Sequence, residues 1–302
     1  MIFDTHVHYN SDAFSEDRDA VITSLQAAGV GTVVNIASDI DSLTECRELG
    51  EKYPFLYYTL GIHPSDCGSM TAETLQQIRI GLLEEKAVAV GEIGLDYYWP
   101  QPDRQTQQHW FRQQLRLAAE MRKPVVIHSR NAAEDTMQIL QEEHGGANGG
   151  VIHCYSYSRE MAVEFVKMGF HIGVGGVVTF SNSKRIKKVV QDIPIENIVL
   201  ETDAPYLAPV PFRGKRNTSA LLPYVVEAIA ELKGMEAEDV IRITEENARR
   251  MYRITALKSK QTETRLSGIC LPRQSMQGRQ KQEILKSVCR GKACKADESR
   301  II

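Results

Sequence analysis

The hydrophobic pattern of this chain predicts an α/β fold, a closed parallel (β/α)8 barrel of the TIM type followed by a basic C-terminal tail. Three observations predict it. Short, β-rich apolar runs alternate with stretches of helical periodicity through residue 205. Eight such runs occur, and each is nearly continuous in apolar residues, as strands covered on both faces must be. The rival arrangement, an open doubly wound sheet, is disfavoured because neither a GxGxxG turn nor a GxxxxGK[ST] loop is present. At 302 residues with 42% hydrophobic content, the chain is long for an ordinary domain and of normal size for such a barrel.

In chain order the predicted strands are "MIFDTHVH", "GTVVNIAS", "LYYTLGIHP", "AVAVGEIGLD", "PVVIHSR", "GVIHCYS", "HIGVGGVVT" and "IVLETDAP". Between them lie segments with helical spacing, such as "RDAVITSLQAAG" and "RQTQQHWFRQQLRLAAEM". A helix over about 219–232 follows the eighth strand, and another runs to about 252. Gly29, Gly50 and Gly169 fall where a left-handed residue would end a helix. The barrel therefore occupies residues 1–254, and residues 255–302 form a separate tail. That tail holds 11 Lys/Arg against 4 Asp/Glu (+7), which leaves the first 254 residues with 25 against 35 (−10). It contains no Phe, Tyr or Trp, a composition that predicts disorder.

The longest apolar runs are strand-sized, so no membrane span is predicted, and no secretion signal opens the chain. Cysteines at 46, 67, 154, 270, 289 and 294 lack the spacing of a zinc knuckle or disulfide framework and read as reduced, cytoplasmic thiols.

In a parallel barrel, functional residues gather at the C-terminal ends of the strands. His6 and His8 end the first predicted strand, His63 the third, His128 the fifth, His153 the sixth and Asp203 the eighth, while Glu92 lies late in the fourth. His6 and His8 are one residue apart, so an extended strand points them to the same side. Cys154, next to His153, should by the same alternation point away. Four histidines and two carboxylates exceed what one tetrahedral metal needs and suit two divalent ions sharing a carboxylate. Such a centre serves a phosphoryl displacement or hydrolysis of an amide or lactone equally well, so the ligand count leaves the substrate open.

The stretches "DTHVH", "GIHP", "GEIGLDYY", "IHSR", "IHCYS" and "ETDAPYLAPVPFRGKRN" resemble, in order and spacing over residues 1–254, the TatD-type metal-dependent deoxyribonucleases of the amidohydrolase superfamily. By position, the resemblance implies that His6, His8, Glu92 and Asp203 hold one divalent ion (Mg, Mn or Zn). Glu92 would bridge to a second held by His128 and His153, and Asp203 would also act as general base. Glu92, where related amidohydrolases often carry a carboxylated lysine, matches the TatD branch. His63 is placed beside the site as a substrate contact. In "PFRGKRN", Arg213, Lys215 and Arg216 are placed to meet substrate phosphates.

The implied function is cleavage of phosphodiester bonds in DNA, as an exonuclease on single strands, by a monomer. The alternatives are an ester or amide hydrolase of the same fold, such as a D-aminoacyl-tRNA deacylase, and a non-catalytic nucleic-acid-binding barrel. The chain departs from the family pattern twice: Tyr157 replaces a glycine after the sixth strand, and Ser219 stands where a proline is usual.

Overall fold

The computed structural model describes residues 1–255, so the expected disorder of the tail concerns residues that, apart from Thr255, lie outside the described ones. The strands are β1 (Ile2–Val7), β2 (Val30–Ile36), β3 (Leu56–Leu60), β4 (Ala87–Asp96), β5 (Val125–Arg130), β6 (Gly150–Ile152), β7 (Phe170–Val174) and β8 (Ile198–Leu200). They pair in sequence order, every neighbouring pair parallel.

The helices are α1 (Arg18–Ser24), α2 (Ile40–Lys52), α3 (Ala72–Gly81), α4 (Arg104–Glu120), α5 (Ala133–Glu142), α6 (Arg159–Lys167), α7 (Lys184–Asp192), α8 (Leu222–Lys233) and α9 (Ala237–Tyr252). Side chains open several of them: Asp39 accepts from the Ser42 amide, Thr71 from Thr74 and Asp103 from Thr106. The eight-fold alternation is thus as predicted. Among the described residues no helix is long and apolar enough to cross a membrane. Cys46, Cys67 and Cys154 are free thiols.

Two local expectations are corrected. Gly29 and Gly169 do take positive φ, but Gly50 lies inside α2. Its role is packing: a Cβ there would stand 2.5 Å from the Tyr58 ring, so only glycine lets the helix lie on β3. The predicted seventh strand stops at Val174, and Gly176–Thr179 forms a short 3-10 helix.

The main apolar core packs helices on the outside of the strands. A second cluster joins Phe3, Val34, Val126, Val151 and Val199 to Met251, Tyr252 and Ile254 at the end of α9, and the Tyr252 hydroxyl donates to the Thr5 carbonyl.

The seam between β1 and β8 closes differently from the rest of the sheet. A single bridge, Val7 with Ala204, joins the backbones beyond β8. Backbone bonds from the Thr202 and Asp203 amides to the His6 carbonyl add to it, and so does the buried Asp4 carboxylate, which accepts from the Thr202 amide (3.1 Å), the Thr202 hydroxyl (2.7 Å) and the Ser219 hydroxyl (2.6 Å). Ser219, the departure from the family's proline, is therefore a tie across the seam. Burial pushes the Asp4 carboxyl up to about 7 despite these donors.

Candidate metal centre

The end of β1 brings the two histidines together as the strand alternation requires. His6 Nε2 and His8 Nε2 lie 3.1 Å apart, and His8 Nδ1 is 3.1 Å from the Ile36 carbonyl. The buried His6 ring stacks on His153, with ring centroids 3.4 Å apart. Asp203 arrives from beyond β8 at φ +56°, a left-handed conformation that aspartate tolerates better than most residues. Its amide donates to the His6 carbonyl at 3.0 Å, which anchors it against β1. Asp203 Oδ1 then lies 3.8, 3.6 and 3.7 Å from the Nε2 atoms of His6, His8 and His153.

Glu92 stands between two histidine pairs. Its Oε2 is 3.4 Å from His6 Nε2 and 3.8 Å from His8 Nε2, while Oε1 is 2.9 Å from His128 Nδ1 and 3.9 Å from His153 Nε2. Two residues on, Gly94 (φ +145°) allows β4 and β5 to meet, since a Cβ there would fall 1.9 Å from the His128 carbonyl oxygen. All six predicted ligand positions thus converge. His63 joins them: its ring lies edge-on to His128 at 4.2 Å, with a nitrogen within 4.8 Å of donor atoms of Glu92 and His128.

Several participants escaped the sequence reading. Asp96 Oδ2 lies 3.1 Å from His128 Nε2, so that ring is held between two carboxylates. The signal was its position four residues after Glu92, on the same face of the strand. Glu201, two residues before Asp203, lies 3.0 Å from His153 Nδ1 and accepts from the Cys154 amide at 2.6 Å. A carboxylate behind a histidine fixes the ring's tautomer and direction. Cys154 corrects an expectation: β6 has already ended, the residue adopts φ +44°, and its sulfur lies within 4.8 Å of donor atoms of His153 and Asp203.

Of the predicted phosphate contacts, Arg213 and Lys215 are exposed, each with its cation over a ring, Phe180 and Phe212 respectively. Arg216 is instead committed to Asp17, at 2.8 and 2.6 Å, and to the Ala13 carbonyl.

The electrostatics follow from buried carboxylates facing imidazoles. Burial, reinforced by His153, lowers His6 to about 4, and burial next to His128 lowers His63 to about 3, so both rings are neutral at pH 7 and able to ligate. Burial opposes charge on His128 and His153 too. Asp96 and Glu92 nevertheless raise His128 to about 9, and Glu201, Glu92 and Asp203 raise His153 to about 10. Against their own burial, Glu92 is held well below the usual carboxylate range by His6 and His128, and Asp203 below it by His8 and His153. The cluster attracts positive charge, and its imidazole and carboxylate donors fit divalent metal ions.

Residues 3–253 match the family described as TatD related DNase. The chain belongs to the TatD family. It is 44% identical over 254 residues to YabD of Bacillus subtilis, described as an uncharacterized metal-dependent hydrolase, covering 84% of this chain and all of that one. It is 32% identical over 263 residues to a Citrobacter rodentium protein named 3'-5' ssDNA/RNA exonuclease TatD, covering 85% of this chain and all of that one. Among solved structures, the TatD homolog YjjV of Escherichia coli K12 superposes with a TM-score of 0.79 at 31% identity, covering 84% of this chain and 98% of that one. This TatD protein is accordingly a metal-dependent hydrolase on a parallel (β/α)8 barrel.

Proposed function

We propose that this TatD protein cleaves phosphodiester bonds in DNA, trimming single strands from an end, with two divalent ions at the centre. His6, His8, Glu92 and Asp203 would hold one ion, and Glu92, His128 and His153 the other. The observation that supports this reading is Glu92, whose two oxygens face different histidine pairs. When bound, paired divalent ions stabilise charge on the attacking and leaving oxygens of an in-line displacement.

The chain's own residues supply the rest. Asp203, ionised at neutral pH, accepts the proton of the attacking water. Glu201 and Asp96 orient the His153 and His128 rings. Arg213 and Lys215 meet phosphates further along the strand, where their exposure leaves them accessible. The exonuclease named among the relatives supports nucleic acid as the substrate class.

The test is digestion of an end-labelled single-stranded oligonucleotide with Mg²⁺, Mn²⁺ or Zn²⁺ and with excess chelator, beside a duplex and a D-aminoacyl-tRNA. A ladder of shortened products that chelator stops and added metal restores is expected. Release of amino acid from the tRNA, without cleavage of any oligonucleotide, would overturn the nuclease reading.

A further inference from the structure

The loop after β4 and the end of β5 form a cluster that hydrolysis alone does not use. We propose that Tyr98, Trp99 and Arg130 form a nucleotide subsite at the rim of the metal centre. Arg130 meets a phosphate, and the Tyr98–Trp99 pair stacks one unpaired base; the subsite rests on the nuclease reading above.

Position comes first. Arg130 is two residues beyond His128 on β5, so its side chain lies on the same face, about 7 Å further toward the strand's C-terminal end. It pairs in register with Asp96, the carboxylate behind His128. Both oxygens of Asp96 are already committed, Oδ2 to His128 at 3.1 Å and Oδ1 to the Tyr98 amide at 2.9 Å. Among the described residues no carboxylate forms an ion pair with Arg130, and its Nη2, closed off from solvent, meets no hydrogen-bond partner. A buried guanidinium nitrogen without an acceptor is costly. Arg130 is only half-buried, so the open part of its side chain can meet a phosphate, and the planar fork of arginine suits that geometry.

The aromatic half adjoins it. The Arg130 guanidinium lies over the Tyr98 ring, 3.9 Å from its centroid, and Tyr98 meets Trp99 edge to face at 4.9 Å. Tyr98 remains 43% exposed, one of few large apolar side chains so open to solvent. An exposed tyrosine with a half-buried tryptophan at its edge, beside a cation without a carboxylate partner, is the usual equipment for holding a single strand, where bases stack on rings and phosphates meet cations. A base inside a duplex, paired and stacked on both faces, cannot use this platform, and a terminal one must first unpair. The cluster therefore accounts for selection of single strands.

The experiment compares cleavage of a single-stranded oligonucleotide ending in a normal nucleotide with one ending in an abasic residue. It also measures binding of labelled oligothymidine to chelator-treated protein. Tyr98→Ala should lower the ratio of normal to abasic cleavage about tenfold, the size expected for one lost stacking contact, while Tyr98→Phe keeps the wild-type ratio. Arg130→Gln should weaken oligothymidine binding about tenfold, with part recovered in Arg130→Lys. An unchanged ratio in Tyr98→Ala, or unchanged binding in Arg130→Gln, from a protein that still digests single strands, overturns the subsite and leaves the nuclease reading standing. Failure of the wild-type protein to digest any nucleic acid overturns both.

Discussion

Asp203 carries two demands in one side chain. Its left-handed backbone turns it from the end of β8 toward the histidines of β1, and the same carboxylate is placed to ligate and to accept a proton. An asparagine keeps an oxygen that can coordinate but cannot accept a proton near neutral pH. Asp203→Asn should retain much of its metal while losing at least about a hundredfold in turnover, the scale of general-base catalysis. His128→Ala should instead recover activity at high metal concentration, because mass action refills a weakened site. Elemental analysis and rate against metal concentration separate the two, and full rescue of Asp203→Asn by excess metal would make Asp203 a ligand only. The convergence of the six predicted positions was readable because each histidine or carboxylate fell at or near the end of an apolar run. Cys154 was misread because nothing in "IHCYS" announces a positive φ at a non-glycine residue, and strand alternation was extended past the end of β6 at Ile152.

At the scale of elements, β6 and β8 are only three residues long, and polar side chains hold the chain beyond them. Such ties join residues far apart, as Asp4 and Ser219 are, and periodicity carries no trace of them. Removing the Ser219 hydroxyl leaves the fully buried Asp4 one donor short. Ser219→Ala should therefore lower stability by about 1–3 kcal/mol, the range for an unsatisfied buried polar group, read as a lower denaturant midpoint. A midpoint equal to wild type would show that the seam does not depend on this bond.

In β7, His171 is buried with neither ring nitrogen partnered among the described residues, and burial lowers it to about 4. Its folded pKa lies below the ordinary 6.5, so the unfolded chain takes up the proton first as pH falls. Stability on this account is fully present above about 6.5 and is lost between there and about 4, on the order of 3 kcal/mol in all. Unfolding curves of His171→Leu should be flatter over that window. Identical slopes for the two proteins would exclude His171 as their source.

For the whole molecule, the barrel was legible because eight apolar runs and the helices between them repeat one pattern, which tolerates errors of a few residues at each boundary. The role of α9 was not legible, since its amphipathic spacing does not say which end of the barrel it serves. Met251, Tyr252 and Ile254 join it to the apolar cluster inside the strands, and the N-terminal amine pairs with its Glu245 at 2.7 Å. The described residues contain all eight strands of the barrel and this helix, so ending the chain after Thr255 should leave the melting temperature within about 2 °C. Ending it after Glu236 should prevent folding by exposing the cluster. A drop of several degrees in the longer truncation would show that residues beyond Thr255 stabilise the barrel.

The binuclear reading depends on Glu92 more than on any other residue, because it alone lies within 4 Å of all four histidines. The most direct measurement is the number of divalent ions bound per chain in wild type and in Glu92→Gln, by elemental analysis after equilibration with the metal that best supports activity. An amide is a much weaker bridge between two cations than a carboxylate. Two ions in wild type and fewer than two in a folded Glu92→Gln are predicted. One ion in wild type, or two retained by the variant, would contradict the bridge.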